Sequence, residues 1–240
     1  MAGATESGGM KGFYMVLAAV AVIGIGALGY VLSRPSTVAV PVNVPIQPRD
    51  TSGFAGYSLG SSDAPVTITE FADYQCPGCQ SFAVLQMPAI VERLIKTGRL
   101  RFVYRDFPLD NIHSSSRLAA HAAACADDQQ KYWPMHDRIF EGQPDWNTAG
   151  DAGPTFRSYA EAVGLDVAAY DACMKSVKHA GRIQASYELG QRYGVGGTPT
   201  LLVGDKLWSG RLDSDAITHI VDSLAPRVSA PVSDTAAGRK

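Results

Sequence analysis

The sequence predicts one α/β domain. A strand–helix–strand unit opens it, a hairpin and a helix close it, a long helical block separates these halves of a shared sheet, and one transmembrane helix precedes the whole. Two observations place the halves. Cys76-Pro77-Gly78-Cys79 sits between the apolar run Val66–Phe71 and the helix-like stretch Ser81–Thr97. Gly197-Thr198-Pro199-Thr200 comes about 120 residues later, directly before the strand-like Leu201-Leu202-Val203. A third observation places the membrane helix: Phe13–Leu32 carries no charge over 20 residues, a length that can cross a bilayer.

Residues 1–12 are rich in Gly and Ser and are expected to be disordered. The apolar run at 13–32 exceeds the roughly 7–15 residues of a signal-peptide core, and no clean small-x-small cleavage site follows it. An uncleaved anchor is therefore favoured over a cleaved signal. Lys11 before the run is balanced by Arg34 and Arg49 after it, so charge does not orient it. Residues 33–56 hold Pro35, Pro41, Pro45 and Pro48 and few aromatics, the composition of an extended tether, with packing as an edge strand the alternative.

The domain is expected to span 57–226. Turn residues at Gly60–Pro65 lead into the strand Val66–Phe71. The helix after Cys76 runs to Thr97, stops at Gly98 and should kink at Pro88. Leu100–Arg105 forms a second strand, parallel to the first through a right-handed crossover. The helical insertion covers about 113–193. It holds the alanine-rich Ala119–Ala126, then Lys131–Phe140, Pro154–Val163, Val167–Met174 and His179–Tyr193. Leu201–Val203 and Lys206–Trp208 flank a Gly204-Asp205 turn as a hairpin. Asp213 caps a last helix ending at Leu224, and 227–240 reads as a disordered tail.

The 240 residues carry a net charge of −2 with no basic run, so no long-range field draws nucleic acid. Four cysteines, two of them in a CxxC pair, suit an oxidising compartment. That places the domain outside the cytoplasm, in a single-pass protein of the cell membrane.

Two cysteines at a strand-to-helix junction make a redox dithiol or half a metal site. Structural zinc needs four ligands, and the chain has one CxxC with no matching second pair. The dithiol is therefore the favoured reading, with no metal or other cofactor beyond a Cys76–Cys79 disulfide. Cys76 stands where a helix begins, and the unpaired N–H groups there favour its thiolate. Cys79 lies one turn further in, which makes Cys76 the nucleophile and Cys79 its resolving partner. Pro77 is tolerated in a first helical turn. A cis Pro199 would bring its loop against Cys76 and leave the Thr198 backbone free to pair with an extended substrate, with Pro77 and Gly78 on the same surface; an ordinary trans turn is the alternative. Glu70, six residues before Cys76, could be a buried acid that relays a proton to or from Cys79. An exposed edge glutamate is the alternative, and Asp73 competes for the role.

Cys125 and Cys173 fall in the helical block, and an even cysteine count suggests that they bridge each other as a structural disulfide; two buried free thiols are the alternative. His113, His121, His136, His179 and His219 are scattered, and none has the spacing to join the dithiol.

These residues resemble the DsbA family of bacterial thiol:disulfide oxidoreductases. The most specific stretches are Asp63-Ala64-Pro65-Val66-Thr67-Ile68-Thr69-Glu70-Phe71, Tyr74-Gln75-Cys76-Pro77-Gly78-Cys79 and Val195-Gly196-Gly197-Thr198-Pro199-Thr200. The resemblance implies a thioredoxin-like fold with an inserted helical domain, a catalytic dithiol at Cys76 and Cys79, a cis Pro199 lining the substrate groove and Glu70 as the buried acid. The anchor and the Cys125/Cys173 pair resemble the membrane-tethered branch. It implies reduced, unfolded secreted proteins as substrates and reoxidation by a DsbB- or VKOR-like quinone reductase. The best-known oxidases of the family carry a histidine between the cysteines and often valine before the cis proline; this chain has Pro77-Gly78 and Thr198. The expected function is an oxidase that donates the Cys76–Cys79 disulfide. A disulfide isomerase or reductase using the same dithiol is the first alternative, and a non-redox peptide-binding or zinc module the second.

Overall fold

A computed structural model describes residues 8–33, 44–49, 53–210 and 213–224. The chain divides into two units, Met1–Ala39 and Val40–Lys240. Of the disorder expected at 1–12, residues 1–7 lie outside the described residues and 8–12 are instead helical; much of the expected tether (34–43 and 50–52) and the expected tail at 227–240 also lie outside the described residues.

The first unit holds one helix, α1, Gly8–Ser33. Its side chains are described over 12–26 and at Gly29. A helix stands at the place of the expected anchor, and among the described residues no helix is long and apolar enough to cross a membrane.

In the second unit five strands form one sheet in the order β1-β3-β2-β4-β5. They are β1 Tyr57–Leu59, β2 Val66–Ala72, β3 Leu100–Asp106, β4 Thr200–Val203 and β5 Lys206–Ser209. β2 and β3 run parallel, and every other pair is antiparallel. The alternation in β2 aims Val66 and Ile68 into the core while Thr67 is exposed, which is how a period of two selects one buried face. The helix after the dithiol, α2, is built from Pro77–Ser81, Phe82–Gln86, Met87–Ile90 and Val91–Ile95. Phe82–Gln86 and Val91–Ile95 are wide π-type turns, in which Met87 N–H reaches Phe82 O and Lys96 N–H reaches Val91 O. The expected effect of Pro88 takes this form: proline has no N–H and crowds the carbonyl four residues back, and the preceding turn widens to satisfy the neighbouring amides.

The helical block consists of α3 Ser116–Asp127, α4 Tyr132–Glu141, α5 Gln143–Trp146, α6 Gly153–Ala162, α7 Val167–Ser176 and α8 Ala180–Tyr193; α9, Ser214–Leu224, closes the domain. Alanines fill α3 on every side, and Ala119 to Ala126 are all buried, because a helix surrounded by others needs small side chains at the close contacts. One core joins the face carrying Ile68, Phe102 and Tyr104 to α2 and the block. A smaller core on the other face joins Phe71, Phe107, Val195 and Leu202. There α8 approaches closely at Gly190, where a Cβ would stand 2.6 Å from Phe107 and 3.0 Å from Phe71.

Two further features differ from the expectation. The strand β1 was not foreseen. Part of the expected tether packs on the domain: Val44 is buried in the core, Arg49 pairs with Glu188, and Phe54 packs against Tyr57.

Candidate active site

β2 ends at Ala72 and α2 begins at Pro77, so the sheet delivers the dithiol to the edge of the domain. Cys76 is the residue before the first helical turn, in extended conformation (φ −74°, ψ 123°), and Pro77 follows at the start of the helix. Cys79 is fully buried, while Cys76 keeps 9 % of its surface. Both are free thiols.

The Thr198–Pro199 peptide is cis. It brings the loop onto the dithiol: the Cys76 thiol donates to Thr198 O at 3.4 Å, and a Cβ at Gly78 would stand 3.1 Å from Pro199 Cδ. Glycine at 78 thus lets the proline loop close over the first turn of α2. An open groove of about 520 Å³ starts at this contact, lined by Gly78, Phe82, Leu85, Thr198 and Pro199 among others. Leu85 in its wall is 65 % exposed, an apolar surface beside the accessible sulfur.

The two thiols ionise very differently. Hydrogen bonding from the Cys79 thiol lowers Cys76 most; the backbone N–H groups of Cys79 and Gly78 add to it. Together they outweigh burial and bring Cys76 from the usual 9.0 to about 5. The helix start therefore contributes as the sequence suggests, and the neighbouring thiol contributes more. Burial pushes Cys79 well above its usual value, helped by Cys76 and by the charge of Glu70. Glu70 is 3 % exposed, beneath the dithiol. Burial, with the charge of Cys76 second, raises it from 4.5 to about 8.

Asp73 is also buried, but its carboxylate is fully engaged. It accepts from Gln75 N at 2.7 Å, Leu109 N at 2.7 Å and His113 Nδ1 at 2.8 Å. Its backbone N–H points at Cys79 Sγ, 3.5 Å away. Asp73 thus braces the loop, whereas Glu70 is the buried acid whose pKa burial raises.

Several residues at the site were not foreseen. His113 was expected to stand apart, yet it hydrogen-bonds Asp73 and feels the Cys76 charge; the Asp73 bond is the main reason its pKa is raised. Gln143 of α5 donates to Tyr74 O at 2.7 Å and to Cys76 O at 3.2 Å. Gln75 donates to Asn147 O and accepts from Ser115 N. The helical block thereby clamps the dithiol loop through contacts about 40 to 70 residues apart in sequence, which no local pattern announces.

Away from the dithiol, Cys125 and Cys173 are joined as a disulfide between α3 and α7. Their sulfurs lie within 4.8 Å of a ring nitrogen of His121, but sulfurs committed to an S–S bond are not thiolate ligands.

A thioredoxin family model matches residues 54–223. Disulfide bond formation protein D of Bacillus subtilis is 30% identical over 170 residues, covering 68% of this chain and 74% of that protein. The crystal structure of oxidised BdbD from Bacillus subtilis superposes with a TM-score of 0.64 at 26% identity, covering 75% of this chain and 97% of that one. Wolbachia pipientis alpha-DsbA1 superposes with a TM-score of 0.61 at 25% identity, covering 70% and 89%. The chain also matches sodium/proton antiporters such as NhaA 3 of Salinispora tropica, of whose length it spans 26% at 31% identity. The chain belongs to the thioredoxin family, within its DsbA-like thiol:disulfide oxidoreductases.

Proposed function

We propose that the protein is an extracytoplasmic thiol oxidase that donates the Cys76–Cys79 disulfide to reduced, unfolded secreted or membrane proteins. The observation that carries this is the split between the two thiols, Cys76 lowered to about 5 and Cys79 raised. A stabilised Cys76 thiolate favours the reduced protein, and that makes the disulfide more oxidising. At pH 7 a thiol at about 5 rather than 9.0 favours the reduced form by roughly 3 kcal/mol, which is about 60 mV.

The steps follow from exposure. A substrate thiolate attacks Cys76 Sγ, the accessible sulfur, and the electron pair of the broken S–S bond passes to Cys79. Cys79 is buried and takes a proton from Glu70. The substrate strand lies in the groove beside Pro199, where the Thr198 backbone, Pro77 and Gly78 form the contact surface. A second substrate thiolate then attacks the substrate sulfur of the mixed disulfide and releases Cys76 as a thiolate.

The relatives named for disulfide bond formation support this direction, as does the domain's own disulfide, which fits an oxidising compartment. Residues 13–32 act as a single-pass anchor, and a membrane quinone reductase of the DsbB or VKOR kind reoxidises the dithiol. No further cofactor takes part. An isomerase or reductase would use the same residues in another direction. Incubation with reduced ribonuclease and with scrambled ribonuclease separates these readings. Disulfide formation in the reduced substrate, lost in Cys76→Ala, is expected. Reactivation of the scrambled form alone would make it an isomerase, and full activity of Cys76→Ala would remove the redox reading.

A further inference from the structure

We propose that Tyr104 is the positioning residue of the buried acid: its hydroxyl donates to the Glu70 carboxylate once Glu70 has given its proton to Cys79. The inference rests on the reading of Glu70 as the proton relay. It starts from the chemical balance of the first step. The substrate thiolate bonds to Cys76 Sγ, the Cys76–Cys79 bond breaks, and Cys79 Sγ takes the electron pair and the proton of Glu70. The negative charge that entered with the substrate thus ends on Glu70 until solvent returns a proton. Glu70 is 3 % exposed, and a buried carboxylate needs a donor.

The sheet supplies one. β2 and β3 pair in parallel with Glu70 opposite Tyr104, and paired residues stand on the same face of strands about 4.8 Å apart. Tyr104 is fully buried, and its hydroxyl has no partner among the described residues. Nearby, the hydroxyls of Tyr74 and Tyr132 satisfy each other at 3.0 Å. Burial and the charge of Cys76, with no hydrogen bond, set the ionisation of Glu70 in this state. A neutral acid and a phenol without a partner thus occupy paired register positions on one face of the sheet, and the transient anion gives that phenol an acceptor.

The other groups around the phenol are Tyr57, opposite it on β1, Asp106, two residues along β3 on the same face, and the rings of His136, Tyr74 and Tyr132, whose centroids lie 4.9, 5.4 and 6.3 Å from its own. Both oxygens of Asp106 are buried without a partner, and Arg105 and Arg117 hold down part of its burial shift. Asp106, the Tyr74 hydroxyl and the unpartnered His136 Nε2 are the competing acceptors for the Tyr104 hydroxyl.

The test uses the full chain in detergent, reduced at the dithiol and labelled with ¹³C at the glutamate and aspartate carboxyls. Tyr104→Phe keeps the ring and removes only the hydroxyl. It should raise the Glu70 midpoint by about one to two units, the size of a hydrogen bond to a charged group. It should also slow single-turnover oxidation of a dithiol peptide by about tenfold, the low end of general-acid effects. Tyr170→Phe removes another buried, unpartnered hydroxyl, from α7, and should move neither. An unchanged Glu70 midpoint in Tyr104→Phe, or a shift of Asp106 in its place, overturns the proposal. Should that variant fail to fold, 3-fluorotyrosine at 104 is a stronger donor and should lower the Glu70 midpoint; no movement overturns it equally. A wild-type Glu70 that titrates in the ordinary carboxylate range removes the proton-relay reading itself, and a reductant-range potential removes the oxidase direction. Neither result mimics a failure at Tyr104.

Discussion

Raising the pH from 5 to 8 should stabilise the reduced protein relative to the oxidised one. The Cys76 thiol lies at about 5 in the folded, reduced state and at its usual 9.0 when unfolded. A folded pKa below the unfolded one contributes stability that is complete above the unfolded value and is lost as pH falls through the folded value. Between pH 5 and pH 9 the unfolded reduced chain holds one more proton, so the slope is about 1.4 kcal/mol per pH unit. At pH 7, two units above the folded midpoint, the difference is roughly 3 kcal/mol. The oxidised form has no thiol at this position and lacks the slope. Asp106, which burial raises to about 7, titrates in both forms and cancels. Glu70 cancels except for the part of its shift that the Cys76 charge causes, which trims the slope toward pH 8. Urea unfolding of both forms at four pH values measures the difference, and ultraviolet thiolate absorbance gives the Cys76 midpoint directly. A difference that stays flat from pH 5 to 8, or a midpoint at 8 or above, would refute the electrostatic argument.

Two further perturbations report on single residues. Glu70→Gln should stabilise the fold increasingly from about pH 4.5 to pH 8. The raised pKa of Glu70 gives wild-type stability that is complete below the usual carboxylate value and lost as pH rises through about 8. The gain at pH 7 relative to pH 4, read by urea unfolding, should be on the order of 3 kcal/mol, and a pH-independent difference would show that Glu70 is not the raised acid. Replacing Cys125 and Cys173 together by alanine opens a closure with a sequence separation of 48. It should cost about 4 kcal/mol in the chain-entropy model while single-turnover oxidation by the dithiol persists at 25 °C; a loss below about 1 kcal/mol would mean that the block is held by its packing alone.

The sequence carried the parts of the fold that local chemistry dictates. Apolar alternation marks β2, glycines mark the ends of several helices, and Gly204-Asp205 marks the final hairpin. The dithiol and Pro199 stand out because each has a strand beside it. Glu70 was harder to separate from Asp73, since both are acidic and close to Cys76. In the register Glu70 alternates with Ile68 toward the core, and Asp73 follows the strand, where three donors engage its carboxylate. β1 has only three residues, too few for alternation to show. The wide turns of α2 arise from how Pro88 is accommodated, which a helical pattern does not display. Gln143, Gln75 and His113 act at the site only because the inserted block folds back over the dithiol loop, and no spacing along the chain encodes that closure.

The most direct test of the oxidase reading is the reduction potential of the Cys76–Cys79 pair in the full chain, equilibrated against glutathione with the Cys125–Cys173 disulfide intact. A value raised by some 50 mV or more above the thioredoxin range, on the side of the strong oxidants near about −120 mV, is expected from a Cys76 thiolate this stable. A value near about −270 mV, the range of a reductant, would contradict disulfide donation and make the same dithiol an electron donor.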